Sequence, residues 1–397
     1  MRHYLDFAAT SAVRPPEVGL AVARFLTECG ATPGRGGHAL ALEAGRVALR
    51  CRQAVGRLLG LGADPRRVAF FPNATYALNT ALWGVLRAGD TLVVTAYDHN
   101  AVVRPAAYLA RERGVRVRTV GGTPEGEVDY EEVERLVEGA RLLVVNAASN
   151  VLGHRLPVEE MAARARAAGA LVLVDAAQGA GHLPLDLGGV GSDMVAFTGH
   201  KGLLGPQGTG GLWVRDGVEL DPLLRGGTGG DSSLEEMPDA MPDRLEAGSL
   251  NGPGLAGLEA GLAHVAARGV AAIHDEEMRL KAKLWNGLTA IPGVRVRSPR
   301  GRDGVGVVTF TASSHDPATL AARLEREWGV LGRAGLHCAP GCHRLLDTLE
   351  TGAVRLSVGW ATRDDDVDRA LEGVEALTRS ESVAVGNDVD HAKGYGG

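Results

Sequence analysis

Leu171-Val172-Leu173-Val174-Asp175-Ala176-Ala177-Gln178 is an unbroken apolar run that ends on a carboxylate. An apolar run with no polar alternation fits a strand covered on both faces. Similar runs stand at Val68 to Phe71, Leu92 to Thr95, Val115 to Val120, Leu142 to Ala147 and Met194 to Thr198. Between them, apolar residues recur at helical spacing from Thr75 to Leu86, Val102 to Arg113, Tyr130 to Glu138 and Val158 to Ala168. The alternation predicts an α/β fold, with a mostly parallel central sheet covered by helices.

Further along, the pattern breaks. Arg225 to Ser249 is rich in Gly, Pro, Asp and Ser and reads as a long functional loop. A helical pattern then runs from Leu255 to about Leu288. Strands return at Val294 to Val296, Val305 to Phe310 and Val354 to Val358, with helices at Pro317 to Trp328 and Asp364 to Leu377. This is the pattern of a smaller α+β unit. Ser380 to Gly397 is polar and glycine-rich and is expected to be disordered.

The 397 residues carry a net charge of −6 and no basic block with interleaved aromatics, which argues against nucleic-acid binding. No apolar run approaches the ~18 residues of a membrane span, and the N-terminus lacks a signal-peptide core. The four cysteines (Cys29, Cys51, Cys338, Cys342) are too scattered for a disulfide scaffold, so a cytoplasmic setting is expected. Cys338 and Cys342 have no second cysteine pair to complete a zinc site, and no metal is expected.

The chemistry centres on Phe197-Thr198-Gly199-His200-Lys201-Gly202. Only four residues of the chain are lysine, and Lys201 alone falls in the first 280. Arginine fills every other cationic position there, so a lysine among glycines and apolar residues points to a need for a primary amine. Such an amine can lose its proton and form a Schiff base. Asp175, ending its strand, either faces a cation such as a protonated ring nitrogen or caps the next helix. Pro72-Asn73-Ala74-Thr75 opens a helix after a strand, either as a phosphate cradle or as an ordinary cap. His99, after the strand Leu92 to Thr95, can stack on a planar cofactor, move protons or serve structure alone. Arg333-Ala334-Gly335-Leu336-His337-Cys338-Ala339 places a cysteine beside a cation-capable histidine and near an arginine. Its thiol is either an exposed nucleophile or a buried, inert group. Cys29 and Cys51 read as the inert kind. An amine, a strand-end carboxylate, a phosphate cradle, a stacking ring and a thiol together suit pyridoxal 5′-phosphate (PLP).

In the order and spacing of Asp175-Ala176-Ala177-Gln178, Thr198-Gly199-His200-Lys201 and Arg333 to Ala339, the chain resembles the cysteine desulfurase family. That family lies within the class V aminotransferase group of fold-type I PLP enzymes, and the likeness covers about Tyr4 to Leu377. The resemblance implies that Lys201 carries PLP, Asp175 pairs with its pyridine nitrogen, Gln178 bonds its phenolic oxygen and His99 stacks on its ring. It implies phosphate contacts from Thr75, Thr198 and His200, with Ala74 standing where the family has a threonine. Ser249 matches a hydroxyl that reaches the phosphate of a neighbouring subunit, which implies a homodimer. Arg355, with Asn150 and Arg333 near it, matches the arginine that binds the substrate carboxylate. Cys338 matches the nucleophile that takes sulfur from L-cysteine as a persulfide and passes it to a sulfur-acceptor protein. The short cysteine loop is similar to that of the group II and selenocysteine lyase-like members.

The resemblance further divides the chain into an N-terminal segment (1–14) packing with the small domain, a large PLP-binding domain (15–254), a small domain with the cysteine loop (255–379) and a tail (380–397). Asp6-Phe7-Ala8-Ala9-Thr10 departs from the family's D-N-A-A-T, and Trp360-Ala361-Thr362 from its aromatic-Asn-Thr. A selenocysteine lyase or a PLP-dependent C–S lyase is the alternative on the same scaffold. A non-catalytic partner protein would not need to keep Lys201 and Asp175.

Overall fold

A computed structural model describes residues 2–34, 36–229, 233–301 and 303–387, with backbone alone from 380 onward. The chain opens with β1 (His3–Tyr4). There follow β2 (Val68–Phe71), β3 (Thr91–Thr95), β4 (Arg116–Val120), β5 (Leu142–Asn146), β6 (Leu171–Asp175), β7 (Met194–Thr198) and β8 (Gly210–Val214). These last seven strands form one sheet in the order β2-β8-β7-β6-β5-β3-β4. Only β8 runs against its neighbours.

The unbroken apolar runs have the expected cause. Every residue of β3, β5, β7 and β8 is buried. Along each strand alternate side chains enter opposite cores: Val93, Leu143, Val145, Val172, Val174 and Phe197 go to one face, and Leu92, Val94, Leu142, Val144, Leu173 and Ala196 to the other. At about 1.5–3 kcal/mol for each fully buried Val, Leu or Phe, the two cores hold the sheet in place. Its C-terminal edge can then carry polar residues on short loops.

β8 has no counterpart among the expected strands, several element ends shift by one or two residues, and two helix boundaries differ by more. The single helix expected from Leu255 to Leu288 is two, Gly252–Arg268 and Val270–Ala290, because Gly269 takes a φ of 83° that ends the first. The final helix continues to Asn387, into the stretch expected to be disordered, since propagating a formed helix costs little. Residues 388–397 of that stretch lie outside the described residues. The loop expected from Arg225 to Ser249 has no helix or strand among its described residues.

The rest of the chain builds an antiparallel sheet, β12-β13-β10-β9, from β9 (Val294–Val296), β10 (Val307–Ala312), β12 (Arg333–Gly335) and β13 (Ala353–Ser357). The helices Val270–Ala290, Pro317–Trp328 and Asp364–Asn387 pack against it through Leu284, Leu288, Phe310, Leu320, Val354 and Val374. β1 pairs in parallel with β11 (Val330–Leu331), and Asp6 bridges to Ser357. The start of the chain is thereby tied to its last third.

Candidate active site

The C-terminal ends of five parallel strands deliver the polar groups. β6 ends on Asp175 and leads to Gln178; β7 ends on Thr198 and leads to His200 and Lys201. β3 leads to His99, β5 to Asn146 and Asn150, and β2 to the helix Ala74–Val85. Facing them are Ala8 and Ala9 from the N-terminal segment and Arg333, His337, Cys338 and Arg355 from the smaller sheet and its loop. Together they line one cleft of about 320 Å³, within the usual range for small-molecule sites. Of the residues given a cofactor, substrate or nucleophile role in the sequence, all but Ser249 line this cleft. Ser249 lies in a different cleft with Leu49, Arg52, Asp243 and Glu246.

Burial sets the electrostatics. Lys201 is pushed down to about 8, chiefly by desolvation, with Asp175 pulling the other way and Arg355 and Arg333 adding to the drop. Its amine therefore exchanges a proton near neutral pH. Asp175 is 6 % exposed and is raised by burial, and its Oδ1 accepts from Ala177 N at 2.9 Å. A carboxylate there gains by facing a cation. His99 is lowered to about 4 by burial and by Lys201, Arg355, Arg104 and Arg333, so its ring is neutral. Its Nδ1 accepts from Ala101 N at 3.0 Å at the start of the helix Asn100–Arg113, which leaves the ring proton on Nε2.

Several groups fit a phosphorylated ring cofactor. The Oγ1 of Thr198 is buried without a partner among the described residues, and the N-terminus of the helix Ala74–Val85 opens beside it. Asn73 caps that helix through Tyr76 N at 3.1 Å. Gly210 lets β8 approach this turn, because a Cβ there would lie 2.7 Å from Asn73 Cα. Ala74 adds only backbone to the turn, whereas Thr75 is exposed and turns a hydroxyl-bearing side chain to the cleft. His200 is lowered to about 4 by burial, and its Nδ1 lies 3.0 Å from Thr10 Oγ1. The residues present thus match PLP's ring nitrogen, carbonyl and phosphate.

Cys338 stands at the mouth of the cleft, exposed, on a loop where His337 and Cys338 both take left-handed φ values of 50° and 58°. Two hydrogen bonds hold this strained turn: Asn150 Nδ2 donates to His337 O at 2.6 Å, and Asn100 N donates to Cys338 O at 2.7 Å. The expectation of a cationic histidine beside Cys338 is corrected here. His337 is 6 % exposed and stacks on His343, and burial together with Arg355 pushes it down to about 2, so it is neutral. Cys342 is fully buried, 3.6 Å from Ser149 Oγ, and raised to about 12 by desolvation, which leaves it inert. Cys51 is buried as expected, but Cys29 is half-buried, with its Sγ 3.3 Å from Leu40 O.

Arg355 is 2 % exposed. Its Nη1 donates to Asn150 O at 3.1 Å and its Nη2 to Asp6 Oδ1 at 2.7 Å. The N-terminal segment reaches three more site residues: Ala8 O accepts from Gln178 Nε2 at 2.9 Å, Thr10 meets His200, and Ser11 Oγ donates to Lys201 O at 3.0 Å. Sequence reasoning set the N-terminal segment beside the small domain but named none of its residues as contacts of the site, and it missed Asn146 at the end of β5. The match of Asp6-Phe7-Ala8-Ala9-Thr10 to the family's D-N-A-A-T, departing only at Phe7, was the available signal for the strap. Asn146, ending an apolar strand as Asp175 does, was legible by the same rule. Among the described residues no group of three or more His, Cys, Asp or Glu is arranged to hold a metal ion, and no helix is long and apolar enough to cross a membrane.

This combination of a parallel sheet, a desolvated lysine one turn past a strand and a strand-end aspartate defines a fold-type I PLP enzyme. Residues 3–370 match the aminotransferase class-V family, and the chain belongs to that family. A probable cysteine desulfurase of Methanothermobacter thermautotrophicus is 35 % identical over 384 residues, covering 94 % of each chain. The cysteine desulfurase of Cronobacter sakazakii is 33 % identical over 391 residues, covering 95 % of this chain and 93 % of its own. Among solved structures, the apo cysteine desulfurase of Thermococcus onnurineus superposes with a TM-score of 0.90 at 32 % identity, covering 96 % of this chain and 95 % of that one.

Proposed function

We propose that this protein is a PLP-dependent cysteine desulfurase that converts L-cysteine to L-alanine and receives the sulfur on Cys338 as a persulfide. One observation carries the reading: the buried Lys201 amine and the exposed Cys338 thiol line the same cleft, from opposite sheets. A C–S lyase or an aminotransferase has no use for that thiol.

Lys201 would attach the cofactor, Asp175 would pair with its ring nitrogen, Gln178 would bond its ring oxygen, and Thr198, Thr75, His200 and the Ala74 backbone would hold its phosphate. PLP supplies an electron sink that acidifies the substrate Cα–H. Lys201, with an amine near neutrality, takes and returns that proton. The neutral His99 ring would stack on the cofactor without repelling a cationic ring, and its Nε2–H is a donor available to substrate. Arg355, with Asn150 and Arg333, binds the substrate carboxylate; a guanidinium suits that bidentate task. The Cys338 sulfur then attacks the substrate sulfur. An S–S bond forms as the C–S bond breaks, and a proton delivered to the carbon completes L-alanine.

A homodimer supplies Ser249 to the neighbouring subunit's phosphate. This is supported by its place outside the Lys201 cleft, beside the exposed Leu49, and by the exposed Leu20, Leu26, Leu40 and Leu42 on nearby N-terminal elements. The four unpaired cysteines fit a reducing, cytoplasmic setting in which an acceptor protein takes the sulfur. The test is to incubate PLP-loaded protein with L-cysteine and a reductant and to quantify alanine, sulfide and pyruvate together. Equal alanine and sulfide is the expected result. Pyruvate in place of alanine would make the protein a C–S lyase and remove the role of Cys338.

A further inference from the structure

A buried guanidinium without a counter-charge is strongly unfavourable. Arg355 carries a second burden, because Arg333 of β12 lies directly opposite it in the β12–β13 register and like charges across a strand pair repel. One carboxylate offsets both. Asp6 Oδ1 lies 2.7 Å from Arg355 Nη2, while Asn150 O takes Nη1 and the buried Nε has no partner among the described residues. Asp6 is itself fixed to the strand that carries Arg355. Ser357 N donates to Leu5 O at 2.6 Å, Leu5 N to Leu331 O at 2.9 Å, and Ala8 N to Ser357 Oγ at 3.0 Å. The carboxylate and the guanidinium therefore move as one unit.

We propose that Asp6 is the positioning residue of the substrate-carboxylate site, holding Arg355 in place with its remaining N–H donors free before L-cysteine arrives. This rests on the reading of Arg355 as the group that binds the substrate carboxylate. Without Asp6, the buried cation faces Arg333 uncompensated and turns away from the cleft. A ligand with a carboxylate then loses its preformed partner, whereas a ligand without one loses nothing.

The experiment is calorimetric titration of the PLP-loaded enzyme with L-alanine and, separately, with ethylamine, which keeps the amine and lacks the carboxylate. Asp6→Asn keeps the shape and an acceptor but removes the charge. It is expected to weaken L-alanine at least about tenfold, the scale of a hydrogen bond to a charged group, and to leave ethylamine unchanged. In turnover the loss falls on KM for L-cysteine rather than on kcat. Asp6→Glu retains the charge one methylene further out and is expected to fall between the two. It provides the measurement if the asparagine variant does not fold. Unchanged or tighter L-alanine binding in both variants would overturn the proposal, as would equal weakening of both ligands. Arg355→Lys separates the two levels. If it too leaves L-alanine unaffected, the carboxylate-binding reading of Arg355 itself falls. If it weakens L-alanine while the Asp6 variants do not, only the role of Asp6 falls.

Discussion

Replacing Glu246 with glutamine tests what holds the loop that carries Ser249. Glu246 is 7 % exposed and Arg52 8 %. Arg52 Nη1 and Nη2 donate to the two carboxylate oxygens at 2.7 and 2.8 Å, and Phe70 N donates to Oε1 at 2.5 Å. Arg52 also donates to Val68 O and lies 4.7 Å over the Phe70 ring. Glutamine keeps the outline and one acceptor oxygen. Its NH2 then meets a guanidinium N–H, donor against donor, and the buried cation loses its counter-charge. Breaking one side of a buried pair costs about 3–5 kcal/mol, and the retained acceptor places this variant near the lower figure. Urea unfolding of the parent and the variant measures this directly. High salt is expected to change the difference little, because buried pairs are weakly screened. A Glu246→Gln variant within about 0.5 kcal/mol of the parent would refute the reasoning.

Other outcomes follow from the site. Lys201→Arg keeps the charge but cannot form a Schiff base, so it is expected to lose the cofactor absorbance on dialysis and to form no alanine; a retained band would count against Lys201. Cys338→Ser is expected to keep that absorbance and form no persulfide, and normal turnover would remove the nucleophile assignment. The rate at which apoprotein takes up PLP is expected to rise with pH to a midpoint near 8, because only the neutral Lys201 amine attacks; a midpoint near that of an ordinary lysine would contradict the desolvation argument. Asp98 is 1 % exposed, its Oδ1 has no partner among the described residues, and burial raises it to about 8. Its folded value exceeds its unfolded one, so the stability it contributes is whole below about pH 4 and lost as pH rises through 8. Asp98→Asn is therefore expected to match the parent at pH 4 and to exceed it by on the order of 2 kcal/mol at pH 8, the scale of an unpaired buried group. Equal denaturation midpoints at both pH values would show Asp98 to be satisfied.

Much of the fold was legible locally. Strands buried on both faces must be apolar throughout, so β5, β6 and β7 announce themselves in the sequence, and the polar residues that end them mark the site. β8 (Gly210–Val214) was not among the expected strands, because two of its five residues, Gly210 and Gly211, are glycines with no apolar side chain to signal burial. They are glycine for a tertiary reason, the close approach of Asn73, Phe197 and Ala69 to the places where side chains would stand. The break at Gly269 likewise disappears in a helical pattern that carries on across it.

Residue identity by itself determined the chemical inventory: the one lysine among the arginines of the first 280 residues, a carboxylate and a glutamine after one strand, and a thiol on a glycine-containing turn. Charge state and partnership were decided only by tertiary structure. His337 beside Cys338 has the residue type of a cation, yet burial and Arg355 make it neutral. Asp6 and Arg355 are 349 residues apart in sequence and 2.7 Å apart in space. Desolvation and Coulomb interactions depend on distance and on exclusion of water, and these exist only once β1, β11 and β13 have brought the two ends of the chain together.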